Sequence, residues 1–164
     1  MEDLLKKISQ YQLFNFLLSG ALLAVLLKQT TSINLIYENT IAEFFAFYFI
    51  GLVISRVGSL IVEPWLKKLK IVTFTPYSEY LVAAKSDKRI DILSQENNTY
   101  RTLIATFLVF AAIYIVTKYA GSFIRQHHTL IVYIFMGTML VLFTLAYHKQ
   151  TNYIAKRIKN TQTK

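Results

Sequence analysis

Residues 44–62 run for 19 positions with a single charge, Arg56, and no proline. Wound as a helix at about 1.5 Å per residue, they reach roughly 28 Å, close to the thickness of a bilayer's hydrocarbon core. A globular domain spreads its apolar residues at a helical or strand period. Here an apolar content of 54% and a mean hydropathy of +0.40 are gathered into blocks. Further blocks at 11–27, 102–120 and 129–147 complete the pattern. The expectation is an all-α integral membrane protein, a four-helix bundle forming one transmembrane domain over 1–164. A cytoplasmic insert, 64–101, supplies short amphipathic helices between the second and third spans, and a basic tail follows at 148–164.

The charge distribution orients these spans. A net charge of +9 in a soluble chain suggests a nucleic-acid partner, but membrane proteins retain Lys and Arg in their cytoplasmic segments during insertion. With the amino terminus inside, 14 of the 18 Lys and Arg residues fall in inner segments, Lys164 among them. Lys28, Lys118 and Arg125 fall outside, and Arg56 lies within a span. Both termini are therefore expected in the cytoplasm, with no direct binding of nucleic acid.

Polar and small residues inside the apolar runs are the candidate functional positions. Gly51, Ser55 and Ser59 recur every fourth residue, which places three small side chains on one helix face and predicts a close helix–helix contact. Arg56 lies beside that stripe, at a depth where a charge costs about 2.5–3.5 kcal/mol on insertion scales. Either its stem snorkels toward the nearer interface, or the guanidinium sits inside the bundle on a partner. Asn15, at a similar depth in the first span, is the first choice of partner. Glu63 shares the face of Arg56 but is displaced by about 10 Å along the axis.

Pro64 is expected to end the second helix, placing Trp65, Lys67, Lys68 and Lys70 in the headgroup layer as interface anchors. Thr40 reads as the cap of that helix, and Thr75-Pro76 as the cap and first position of a short amphipathic one. Leu4, Leu5 and Ile8 with Lys6 and Lys7 form an amphipathic lead-in to the first span. Within the insert, Lys85, Lys88 and Arg89 alternate with Glu79, Asp87, Asp91 and Glu96, as in a solvated face or a surface for a partner. Asn97, Asn98, Tyr100 and Arg101 stand where the insert becomes the third span, and either cap that helix or anchor the insert. Gly121 and Ser122 mark a short turn before the fourth span, and the tail either lies at the interface or frays.

Catalytic patterns are missing. The absence of cysteine excludes thiolate nucleophiles, disulfides and cysteine-ligated metals. His127 and His128 are adjacent, point apart on a helix and hold one metal poorly. There is no glycine-rich phosphate loop or nucleophile elbow. No catalytic residue, metal or cofactor is expected, and the chain is not expected to be an enzyme. Two classes of function remain. One is an oligomeric sensor or scaffold, bound to membrane lipids, that recruits a soluble cytoplasmic protein through 64–101 and the tail. The other is a pore or depolarising effector built by several copies, with Arg56 favouring anions and Ser55, Ser59 and Asn15 lining the path.

Short size, four spans, Ser55-Arg56-Val57-Gly58-Ser59, Glu63-Pro64 and the Asn97-Asn98-Thr99-Tyr100-Arg101 junction together resemble the small four-span membrane proteins of bacterial anti-phage defence, the Kiwa membrane subunits in particular. The resemblance is architectural and extends over the whole chain. It implies a homo-oligomer of the bacterial inner membrane that senses infection at the envelope and works with a soluble, nucleic-acid-binding partner.

Overall fold

The computed structural model describes residues 2–36 and 38–162, which form helices and the turns between them. Four of the helical rods are long and apolar enough to cross a membrane, so the protein is an all-α bundle of the multi-pass membrane type. The side chains of Leu4, Leu5, Lys6, Lys7 and Ile8, and all of Lys164, lie outside the described residues.

Helix α1 (Glu2–Thr30) is followed by a turn and then by α2 (Thr40–Val57). Asn39 caps α2 in place of the expected Thr40. Its backbone is extended, and its Oδ1 accepts from the amides of Ile41 (3.0 Å) and Ala42 (3.1 Å), two donors that a helix start leaves without partners. Pro64 does not end the rod. A π turn (Gly58–Val62) leads directly into α3 (Glu63–Lys68), so the helical rod is continuous from Thr40 to Lys68. A proline inside a helix has no N–H to donate and crowds the turn before it, and the π turn that precedes Pro64 takes up both effects so that the rod continues. The true stop is at Lys70, whose φ of 59° turns the chain into the left-handed region. There the Ile71 amide donates to the Leu66 carbonyl and the Lys70 amide to the Lys67 carbonyl, the paired bonds of a Schellman closure.

Beyond α3 the insert holds a further short helix, α4 (Tyr77–Ser86), with Pro76 itself in the cap position. What reads as a second short helix is the opening of α5 (Arg89–Gln126), a 38-residue rod of about 57 Å. That is nearly twice the hydrocarbon thickness, so α5 projects well beyond the apolar layer. Tyr80 Oη bonds Asp91 Oδ1 at 3.3 Å and ties α4 to this projection. Gly121 and Ser122 do not form a turn, since a single glycine costs a helix only about 1 kcal/mol. The break falls at His127, and α6 (His128–Gln162) runs through the expected tail as one helix.

The core is built around an unusually close approach of α1 and α2. A Cβ added to Gly51 would overlap the backbone of Phe16, and one added to Gly20 would overlap the backbone of Phe47. The two contacts are reciprocal and antiparallel, with Phe16 opposite Gly51 and Gly20 opposite Phe47. Only glycine permits this separation. Helix α5 packs against both members of the pair, closing a core of Leu23, Leu27, Ile54, Val62 and Ala105. Helix α6 joins through its central and later turns, with Leu142 buried and Phe143 against Phe49 at 6.3 Å. Its first half presents Tyr133, Ile134, Phe135, Met136 and Leu140 outward, as suits a lipid-facing surface.

Candidate functional site

Each of the last three apolar runs has an ionisable residue within two positions of one end: Glu63 just after the second, Arg101 just before the third and Lys149 just past His148 after the fourth. Antiparallel packing brings all three to the same end of the bundle. Glu63, only 7% exposed, sits at the centre. Its Oε2 accepts from Arg101 Nη1 at 2.6 Å, its Oε1 accepts from Lys67 Nζ at 2.9 Å, and Lys149 Nζ stands 3.7 Å from Oε1. One carboxylate thus holds α3, α5 and α6 together.

The π turn explains how Lys149 is fixed. Glu63 donates its backbone N–H to the Gly58 carbonyl, five residues back, so the Ser59 carbonyl loses the partner an α-helix would give it. Its π-register partner would be residue 64, which is proline and has no N–H. Lys149 Nζ fills the gap, donating to the Ser59 carbonyl at 2.6 Å and to Ser59 Oγ at 2.8 Å. The helix defect created by Pro64 is therefore the docking point for α6. Single π turns recur at functional positions in helices, and this one carries the cluster.

Pro64→Ala is accordingly expected to weaken the bundle by about 1 kcal/mol, although removing a proline from a helix ordinarily helps it. The new amide competes with Lys149 for Ser59 and lets the α register close, which rotates Glu63 away from Arg101. Unfolding by sodium dodecyl sulfate in mixed micelles reads this directly, and stabilisation of the variant would contradict it.

Next to this cluster, α1 and α5 meet along a polar seam. Tyr11 Oη bonds the Gln95 carbonyl and lies 2.7 Å from Thr99 Oγ1. Asn15, 3% exposed, donates from Nδ2 to Thr102 Oγ1 at 3.3 Å. Thr102 gives its own proton to the Asn98 carbonyl, so its lone pair is what receives Asn15. Asn15 is therefore the partner of Thr102 and not of Arg56, because its side chain points across the α1–α5 contact.

The small-residue stripe divides. Gly51 lies against α1 and Ser55 is buried in the bundle, but the π turn swings Ser59 toward α6. Asn15 and Ser55 are thus buried among the helices of a single chain. Arg56 is half-buried and lines a small cleft with Ser59, Lys149, Gln150 and Tyr153. Trp65, Lys68 and Lys70 are exposed beyond the apolar run, while Lys67 also lies over the Phe74 ring at 4.0 Å. Lys85 on α4, Lys88 in the turn after it, and Arg89 and Tyr100 on the projecting part of α5 are exposed and do not join the cluster. Arg101 does.

Along the sequence Lys149 reads as one of the basic residues of the tail, and Glu63 as a partner for Arg56 alone. The signal that finds both is the shared boundary: an ionisable group ending each run at one side of the membrane must meet the others if the spans alternate. No protein-family model, curated protein or solved structure matches this chain.

Proposed function

We propose that the protein is a non-enzymatic scaffold or sensor of the bacterial inner membrane, homo-oligomeric, with both termini in the cytoplasm. In this reading it serves anti-phage defence by passing a change in the packing of its spans to a soluble cytoplasmic protein. The observation that carries the reading is Glu63, which binds three helices at the end where the 64–101 segment leaves the bundle. A shift of α5 or α6 within the membrane strains that junction and moves the projecting turns of α5 with α4 attached. The concentration of Lys and Arg in the same segments supports the cytoplasmic side.

Two measurements test the reading. The chain has no cysteine, so single cysteines report topology without background. In intact cells a membrane-impermeant maleimide is expected to label Ser32→Cys and to spare Asn152→Cys; the reverse pattern overturns the orientation. A tagged copy, extracted in mild detergent from cells carrying the neighbouring genes, is expected to retain a soluble product of those genes. Recovery of the membrane protein without such a companion counts against a scaffold.

A further inference from the structure

The cluster around Glu63 is not neutral. Arg101, Lys67 and Lys149 surround one carboxylate, and Arg56 stands close enough to Arg101 for the two to repel. Four cations against one acid, at the edge of an apolar layer, leave an excess of positive charge where water screens poorly. Among the described residues no second carboxylate pairs with this group.

The unmatched charge faces a cleft between the π turn and α6. The cleft measures about 30 Å³, room for roughly two water-sized groups, and is partly open. Its polar lining is Arg56, Ser59, Lys149, Gln150 and Tyr153. Lys149 is committed to Ser59, but Arg56, the Gln150 amide and the Tyr153 hydroxyl make no hydrogen bond among the described residues. A planar guanidinium with five donors, beside an ammonium, an amide and a phenol, is a donor set for an oxyanion with two adjacent oxygens. Among the described residues no carboxylate lines it.

We propose that this cleft binds a phosphoryl anion, held by Arg56 and Gln150, with Lys149 contributing its charge while it stays on Ser59. The volume suits the two non-bridging oxygens of a phosphodiester, and its position at the end of the apolar runs is the level of lipid headgroups. The same chemistry is offered by an anionic lipid and by free phosphate, and binding would neutralise part of the excess charge that Glu63 leaves unmatched.

The test uses the full chain in neutral detergent, with bound species counted in native mass spectra during titration with short-chain phosphatidylglycerol, short-chain phosphatidylcholine or inorganic phosphate. The expected result is preferential retention of phosphatidylglycerol over phosphatidylcholine, with Arg56→Gln binding it about tenfold more weakly, the loss of one charge-assisted bond. Arg56→Lys keeps much of the affinity, and Lys28→Gln, an equal change of charge at the opposite end of the bundle, leaves it unaltered. Arg56 makes no hydrogen bond within the fold among the described residues, so its substitution leaves the folded bundle available for measurement. Retention of lipid that inorganic phosphate does not displace assigns the site to a headgroup. Binding of inorganic phosphate itself, lost in Arg56→Gln, assigns it to a soluble phosphoryl ligand; either result supports the site. Equal losses in Arg56→Gln and Lys28→Gln, or no preference for either anion over phosphatidylcholine, overturn it.

Discussion

Gly51→Leu is expected to leave no native bundle in mild detergent. The new Cβ would overlap the backbone of Phe16, carbonyl oxygen first, and a backbone atom cannot swing aside as a side-chain tip can. Helices α1 and α2 must separate along the contact, which also opens the reciprocal approach of Gly20 to Phe47 and exposes Leu23, Leu27 and Ile54. Overpacking a core costs about 1–3 kcal/mol when side chains give way, and a clash against main chain lies at or above the top of that range. Gly20→Leu should behave alike. Gly121→Leu and Gly137→Leu meet no atom within 4 Å of the added Cβ and serve as controls that fold normally. Size-exclusion profiles and unfolding in mixed micelles make the comparison. If Gly51→Leu is as stable as Gly137→Leu, the close α1–α2 approach is not what holds the bundle together.

The second large effect is expected at Glu63. Glu63→Gln keeps the shape of the side chain and removes the charge, leaving Arg101 and Lys149 facing each other without an anion. Removing one partner of a buried ion pair costs about 3–5 kcal/mol; with both cations partly exposed, the lower end of that range applies. Lys67 is the most exposed of the three cations and contributes least. The sharper measurement is a double-mutant cycle. Lys149→Met alone frees the Ser59 carbonyl and weakens the attachment of α6, but in the Glu63→Gln background it also relieves a repulsion. The two substitutions together are therefore expected to lose less than the sum of their separate losses, by about 1 kcal/mol or more. Strict additivity, or a Glu63→Gln bundle as stable as the parent, would remove the cluster from any account of how the helices are joined.

Much of the architecture is legible along the chain because insertion into hydrocarbon is a one-dimensional filter. A run such as 44–62 must be helical to satisfy its backbone and must be long enough to cross, so number and approximate position of spans follow from hydropathy alone. Breaks in the helices were harder to read. Pro64 and Gly121 each suggest an end, yet neither ends its rod: a widened π turn accommodates the proline, and an isolated glycine costs less than the helical bonds and packing on either side return. A single stripe of Gly51, Ser55 and Ser59 requires a constant 3.6-residue turn. The π turn breaks that period between the second and third members, so only the first two face the α1 side and the buried core.

The sequence by itself determined that this chain forms four membrane-length helices, with charge gathered at the ends of their apolar runs, because burial of backbone and charge in hydrocarbon is prohibitive for almost any other arrangement. Only the tertiary structure decided the partners: Asn15 with Thr102, Glu63 with Arg101 and Lys149, and Arg56 with an open cleft. Those pairings depend on how each rod is rotated about its axis. That rotation was set by two glycines that let backbones touch and by one proline that widened a turn, effects that a reading of period and hydropathy averages away.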